Sequence, residues 1–238
     1  MSKKSLFKTG LKDGLPIGTG YLAVSFSFGI AAVAAGLSPW QAILISMTNV
    51  TSAGQFAGIG IIAAAGSYFE IALSQLIINL RYALMSISLS QKLDSTFKQR
   101  HTLVLGHMNT DEIFAVAVSR TMPIRPSYFL GLSSLPYLGW SLGTAMGAYF
   151  GALLPDELCA ALAVAIYGMF IAIIVPEAKK DFAVLCITLL SIAISCCIYY
   201  IPTLDGITSG FSIIICAVVA SAVGAIIFPK KEEAENEQ

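Results

Sequence analysis

Charge is scarce in this chain. Only 12% of its 238 residues are Asp, Glu, Lys or Arg, where soluble domains carry about 25%. The two signs balance to a net charge of zero, so there is no basic footprint and no nucleic-acid partner is expected. Cysteines are few and odd in number. Cys159, Cys186, Cys196, Cys197 and Cys216 all lie in apolar runs without CxxC spacing, which does not suggest a disulfide framework and reads as small buried hydrophobes. Two histidines, His101 and His107, are too few for a histidine-rich metal site. A Walker A loop, HExxH and GxSxG are all missing. No enzyme activity, cofactor or metal is therefore expected, and active transport would need an ion gradient or an ATP-hydrolysing partner.

What the chain has instead is apolar surface. Hydrophobic residues make up 56%, mean hydropathy is +0.79, and apolar stretches of membrane-spanning length recur along the chain. The expected fold is all-α, a polytopic helical membrane protein of about seven to eight transmembrane helices solvated by the lipid bilayer. The apolar segments are 15–36, 40–65, 67–90, 128–153, 157–176, 182–202 and 206–228. Residues 1–14 read as a cytoplasmic N-terminal segment, 15–228 as a single transporter domain and 229–238 as a charged tail. Segment 102–120 is ambiguous, being apolar at its ends but polar at His107, Asn109, Asp111 and Glu112. If it crosses, eight spans leave both termini cytoplasmic, with Lys92, Lys98 and Arg100 outside. If it does not, the better seven-span orientation puts the N-terminus outside. We favour eight crossings, or seven plus a broken, partly inserted segment.

Glycine is placed with a period of four at Gly139, Gly143, Gly147 and Gly151, and more weakly at Gly14 and Gly18 and at Ser25 and Gly29. Such stripes let helix backbones approach closely, within the chain or against a partner subunit. Leu15-Pro16 and Leu135-Pro136, each opening a small-residue-rich span, hint at an internal repeat with a site at its interface.

Polar residues concentrate inside two apolar segments. Asn49, Thr51, Ser52, Gly54 and Gln55 crowd the centre of 40–65, where a broken helix near the midplane would offer free amides and carbonyls to an amino-acid head group. In 67–90, Gln75, Asn79, Tyr82 and Ser86 share one helical face, whereas Arg81 lies about 200° round from Asn79. An arginine at mid-membrane costs roughly 2.5–3.5 kcal/mol on insertion scales. Asp111 and Glu112 are the carboxylates within an apolar-flanked segment, and Arg81 is expected to pair with one of them.

Asp13-Gly14-Leu15-Pro16, Phe26-Ser27-Phe28-Gly29, Ala35-Gly36-Leu37-Ser38, Ser52-Ala53-Gly54-Gln55-Phe56, Asn79-Leu80-Arg81-Tyr82 and Thr110-Asp111-Glu112-Ile113-Phe114 occur in that order. Together they resemble the AzlC-type branched-chain amino acid permeases, over residues 10 to 228. The resemblance implies the large subunit of a two-component exporter of branched-chain and other hydrophobic amino acids in the bacterial cytoplasmic membrane, working with a small AzlD-type membrane subunit. Where the family pattern is Asn-x-Arg-His this chain has Tyr82, which cannot titrate near neutral pH. On this reading Ser52, Gly54, Gln55 and Asn79 hold the polar end of the substrate, and Phe28, Phe56 and Tyr82 touch its aliphatic chain. Arg81 with Asp111 or Glu112 couples the ion or gates the path, with the proton motive force as the drive. A transporter of another small solute and a non-transport membrane scaffold are the alternatives.

Overall fold

The computed structural model describes residues 2–155, 157, 171, 174–176, 178–204 and 206–229. The described residues form helices and turns, with one isolated bridge between Leu93 and Ile124. The helices are α1 (Lys3–Ala34), α2 (Pro39–Thr48), α3 (Ser52–Ala63), α4 (Tyr68–Ser90), α5 (Gln99–Gly106), α6 (Asp111–Val118), α7 (Pro126–Phe150), α8 (Phe182–Tyr200) and α9 (Ser209–Ile227). Among the described residues four helices, α1, α4, α8 and α9, are long and apolar enough to cross a bilayer. At 1.5 Å per residue the 25-residue α7 is also of spanning length. This is an all-α, multi-pass membrane protein. Most of the expected span 157–176, Cys159 and the tail beyond 229 lie outside the described residues.

The central seam is α1 against α7, running parallel. A side chain at Gly10 would run into the backbone of Tyr128 and Leu132, and one at Gly131 into that of Phe7. Gly18 and Gly139 oppose one another in the same register, and Gly143 and Gly147 face Leu22 and Phe26. The glycine stripe therefore serves packing within the chain: without Cβ atoms two backbones come into direct contact, which maximises dispersion where lipid gives no hydrophobic drive.

Segment 40–65 does not cross the membrane. Ser38 and Gln41 form a reciprocal capping box that starts α2 right after the C-terminus of α1. The helix then runs antiparallel to α7, with Ser46 on Thr144 and the Met47 carbonyl on Tyr137. After the break at Asn49, Val50 and Thr51 the chain reverses. Helix α3 runs antiparallel to α4, with Gly54 beside Gln75 and Gly66 beside Glu70. A side-chain bond between Ser46 and Gln55 fixes the reversal, since a continuous helix would hold those residues about 13 Å apart. Residues 39–63 are thus a re-entrant hairpin with its tip at mid-depth. Phe28, Ala32, Leu37, Ala42, Ile59 and Ala148 form the apolar core between its limbs and the ends of α1 and α7.

Segment 102–120 makes the mirror-image insertion from the opposite face. Lys92 and Asp94 exchange backbone bonds with Ile124, beside the start of α7, so α4 ends on the same face as the chain's N-terminus. From there α5 rises to His107, which reaches the Met47 carbonyl. Helix α6 descends to Arg120, which pairs with Asp13 of α1 at 3.5 Å. Leu6, Leu89, Leu105, Ile113, Ala117, Ile124, Phe129 and Leu132 pack this end. The two tips, 49–51 and 107–110, meet near the middle of the bundle.

Orientation follows from this correction. Lys3, Lys4, Lys8, Lys12, Lys92, Lys98, Arg100, Arg120 and Arg125 all lie on the N-terminal face, together with Lys179 and Lys180 before α8. The turns 35–38 and 64–67 and the residues 201–204 and 206–208 on the other face carry no lysine or arginine. Lys92, Lys98 and Arg100 are therefore on the side of the N-terminus, the face on which lysine and arginine concentrate.

Candidate functional site

The break in the first hairpin leaves backbone groups that a continuous helix would pair internally. The Met47 carbonyl is taken by His107 Nε2 at 2.9 Å and by the Tyr137 hydroxyl at 3.0 Å. The side-chain oxygen of Gln75 accepts from the amides of Asn49 and Asn79, each at 3.2 Å, while its nitrogen donates to the Gly54 carbonyl at 2.8 Å. Gln75 thereby ties both limbs of the hairpin to α4. A side chain at Gly54 would strike the Gln75 amide, so that glycine makes room for the brace and does not itself line the cavity. The opening amides of α3 have no side-chain cap, and the Ser52 hydroxyl is buried without a partner.

These uncapped amides border a cavity of about 520 Å³, within the 300–1,000 Å³ range of small-molecule sites. Val50, Ser52 and Ala53 from the first tip line it, with Thr110, Asp111 and Glu112 from the second and Ile78, Arg81 and Tyr82 from α4. Tyr21, Val24 and Trp140 close it from the α1–α7 seam, and Ile174 adds to the apolar wall. The amino-terminal ends of α3 and α6 both point at this space.

Charges line one wall. Arg81 pairs with Asp111 at 3.0 Å, both half-exposed, and also donates to the Tyr82 hydroxyl at 3.3 Å with its guanidinium 5.0 Å from that ring. Of the two carboxylates expected to pair with the arginine, Asp111 makes the contact. Glu112 turns to α1, where the Tyr21 hydroxyl sits between its carboxylate and the Thr110 hydroxyl, the latter at 2.7 Å. Arg81 and Asp111 neutralise each other, leaving Glu112 as the negative group held by neutral partners.

Ser52, Tyr82, Arg81, Asp111 and Glu112 are thus brought together around one cavity, and the rest are not. Gln55 is buried; it accepts from the Trp140 indole at 2.8 Å and donates to Ser46, which meets Thr144 at 2.6 Å. It acts behind the wall by orienting Trp140. Phe28 is fully buried and packs edge-on against Phe56, centroids 5.2 Å apart, in the core between the hairpin limbs. These two aromatics hold the fold and do not face the cavity. Asn79 lines a smaller neighbouring cavity of about 210 Å³. Tyr82 and Val50 belong to both walls, as the angular offset between Asn79 and Arg81 requires. Tyr21 and Trp140, stacked edge to face at 5.1 Å, were not anticipated. Their signal was an aromatic ring with a polar atom at mid-span.

The family described as AzlC protein matches residues 16–154, which include both hairpins and the greater part of the α1–α7 seam. An uncharacterized membrane protein of Archaeoglobus fulgidus is 33% identical over 75% of this chain and 79% of its own length. Inner membrane protein YgaZ of Escherichia coli is 29% identical over 61% of each chain. The branched-chain amino acid transport protein AzlC of Bacillus subtilis is 24% identical over 63% of this chain and 61% of its own. The matched region thus spans about three fifths of the latter two relatives. No solved structure matches the chain. With more than half of its residues matched, including every residue lining the cavity except Ile174, this chain belongs to the AzlC family.

Proposed function

We propose that this protein is the large subunit of a secondary transporter that exports branched-chain and related hydrophobic amino acids, acting with a small AzlD-type membrane subunit. The observation that carries the reading is the cavity at the hairpin tips. On one side it offers free helix amides, a serine hydroxyl and Arg81, which suit a carboxylate. On the other it offers Glu112, which suits an ammonium group, and Val24, Val50, Ile78 and Ile174 supply the apolar wall for an aliphatic side chain. The name of the Bacillus subtilis relative points to the same substrate class.

In this reading the substrate carboxylate sits at the start of α3 on Ser52, and its ammonium sits on Glu112. Asp111 holds Arg81 until the substrate carboxylate competes for it. Exchange of that partner loosens α4 from the second hairpin and gives the path its gate. Gln55 acts through Trp140, and Gly54 and Asn79 through the Gln75 brace. Proteoliposomes containing this chain and its small partner are expected to exchange radiolabelled leucine, with valine and isoleucine competing and lysine not. Glu112→Gln is expected to lower the rate at least tenfold, because a neutral amide loses the charge-assisted bond, worth about 1.5–3 kcal/mol. Leucine exchange that is unchanged in Glu112→Gln and Arg81→Ala would remove the site assignment.

A further inference from the structure

The smaller cavity, of about 210 Å³, is lined by Thr48, Asn49 and Thr51 from the first tip, Asn79 and Tyr82 from α4, and Gly106, His107 and Asn109 from the second. It is the electrical opposite of the larger one. The carboxyl-terminal ends of α2 at Thr48 and α5 at Gly106 both reach it, and each helix end carries roughly half a negative charge. The Met47, Leu105 and Gly106 carbonyls already accept hydrogen bonds, so the two ends together supply part of a counter-charge without any carboxylate. Asn109 is 5% exposed, yet neither atom of its side-chain amide has a hydrogen-bond partner, and the buried Asn79 Oδ1 is likewise unpartnered. A buried amide left unpaired costs about 1–3 kcal/mol, and one such amide with a second unpartnered amide oxygen beside it calls for a ligand.

We propose that this cavity binds a monovalent alkali cation, sodium in the first instance, through Asn79 Oδ1, Asn109 Oδ1 and the carbonyl end of α2. Neutral oxygens with a helix-end field suit a hard, singly charged ion. Among the described residues no three His, Cys, Asp or Glu side chains converge to hold a multivalent metal. His107 also faces the cavity, but it is committed to the Met47 carbonyl and so stands as a wall that fixes the second tip. Because Val50 and Tyr82 separate this site from the larger cavity, an ion here braces the walls around the amino-acid site. The inference deepens the transport reading and rests on it for its consequence: an ion at this site sets the shape of the neighbouring amino-acid site.

The test is cation binding to the purified protein in detergent, without amino acid. Thermal unfolding is followed in NaCl, KCl and N-methylglucamine chloride at one ionic strength, alongside binding of radioactive sodium. A saturable rise in Tm with sodium over N-methylglucamine, and displaceable sodium binding, are expected. Asn109→Ala should weaken sodium binding about tenfold, whereas Asn109→Asp, isosteric and negatively charged, should tighten it. Identical melting in all three salts with no sodium binding overturns the proposal and leaves ordered water as the occupant. So does sodium binding that both Asn109 variants leave unchanged. Leucine exchange measured separately distinguishes the two readings: sodium binding without leucine exchange removes only the transport assignment, and leucine exchange without sodium binding removes only this one.

Discussion

At the scale of single residues, the polar groups divide into those that meet solvent in a cavity and those that aim them. Gln55 is the clearest of the second kind. Its amide oxygen is the acceptor for Trp140, and its nitrogen continues the chain to Ser46 and Thr144. Gln55→Leu would leave a buried indole N–H unpaired, at about 1–3 kcal/mol, and leave the Ser46 hydroxyl with Thr144 alone. The expected outcome is a lowered Tm together with shifted Trp140 fluorescence, read in a Trp40→Phe background that leaves Trp140 as the single tryptophan. An unchanged spectrum would show that Trp140 does not depend on Gln55. The sequence marked Gln55 as polar in an apolar span, which is correct, but a polar residue facing a cavity and one facing another side chain look alike in one dimension. Phe28 and Phe56 were misplaced for the same reason. Arg81 was more legible, because an arginine at mid-span needs a partner and only two carboxylates stood in apolar surroundings. Outside the membrane, the Thr96 hydroxyl and amide, and then Arg125, hold the Asp94 carboxyl below the usual carboxylate range. A depressed folded pKa means that this support is present above the ordinary carboxylate value of about 3.9 and is lost as pH falls through the lower folded one. Hydrogen exchange in 91–98 should therefore rise at acid pH in the wild type, and be already raised and flat in Asp94→Asn.

At the scale of elements, turn chemistry was readable and reversal was not. Helix α1 ends with Gly36 at φ 91°, its amide on Val33 and that of Leu37 on Ala32, before Ser38 caps α2. The same pattern ends α3, with Ala65 at φ 53°, its amide on Ile62 and that of Gly66 on Ile61, before Ser67 caps α4. The first uses the glycine that a left-handed closing residue prefers; the second strains an alanine into it. Ala65→Gly is expected to stabilise the protein by about 1 kcal/mol, seen as a higher Tm; a lower Tm would show that the alanine methyl packs favourably there. The break at 49–51 was likewise foreseeable from Asn, Thr and Ser at mid-segment. Whether a broken helix continues or turns back depends on contacts with α4 and α7, distant in sequence, so local composition could not distinguish a span from a hairpin.

For the whole molecule, two hairpins entering from opposite faces explain why so many polar residues survive at mid-depth. Each tip places helix ends in the interior, shielded from lipid, where their amides and carbonyls meet side chains of neighbouring helices or border a cavity. The arrangement sorts those ends by sign: amino ends of α3 and α6 face the larger cavity, and carboxyl ends of α2 and α5 face the smaller. It also makes a topological prediction that differs from the linear reading. If 40–65 were a span, Ser38 and Ser67 would lie on opposite sides of the membrane; in the hairpin both lie on the outer face, and Thr96 and Met122 lie on the cytoplasmic one. Single cysteines at these four positions, in a chain whose five native cysteines are replaced, should sort under a membrane-impermeant maleimide applied to intact cells. Positions 38 and 67 should label from outside, and positions 96 and 122 only after lysis. Labelling of 38 but not 67 in intact cells would return 40–65 to a crossing helix. With it would go the meeting of the two tips, on which both cavities depend.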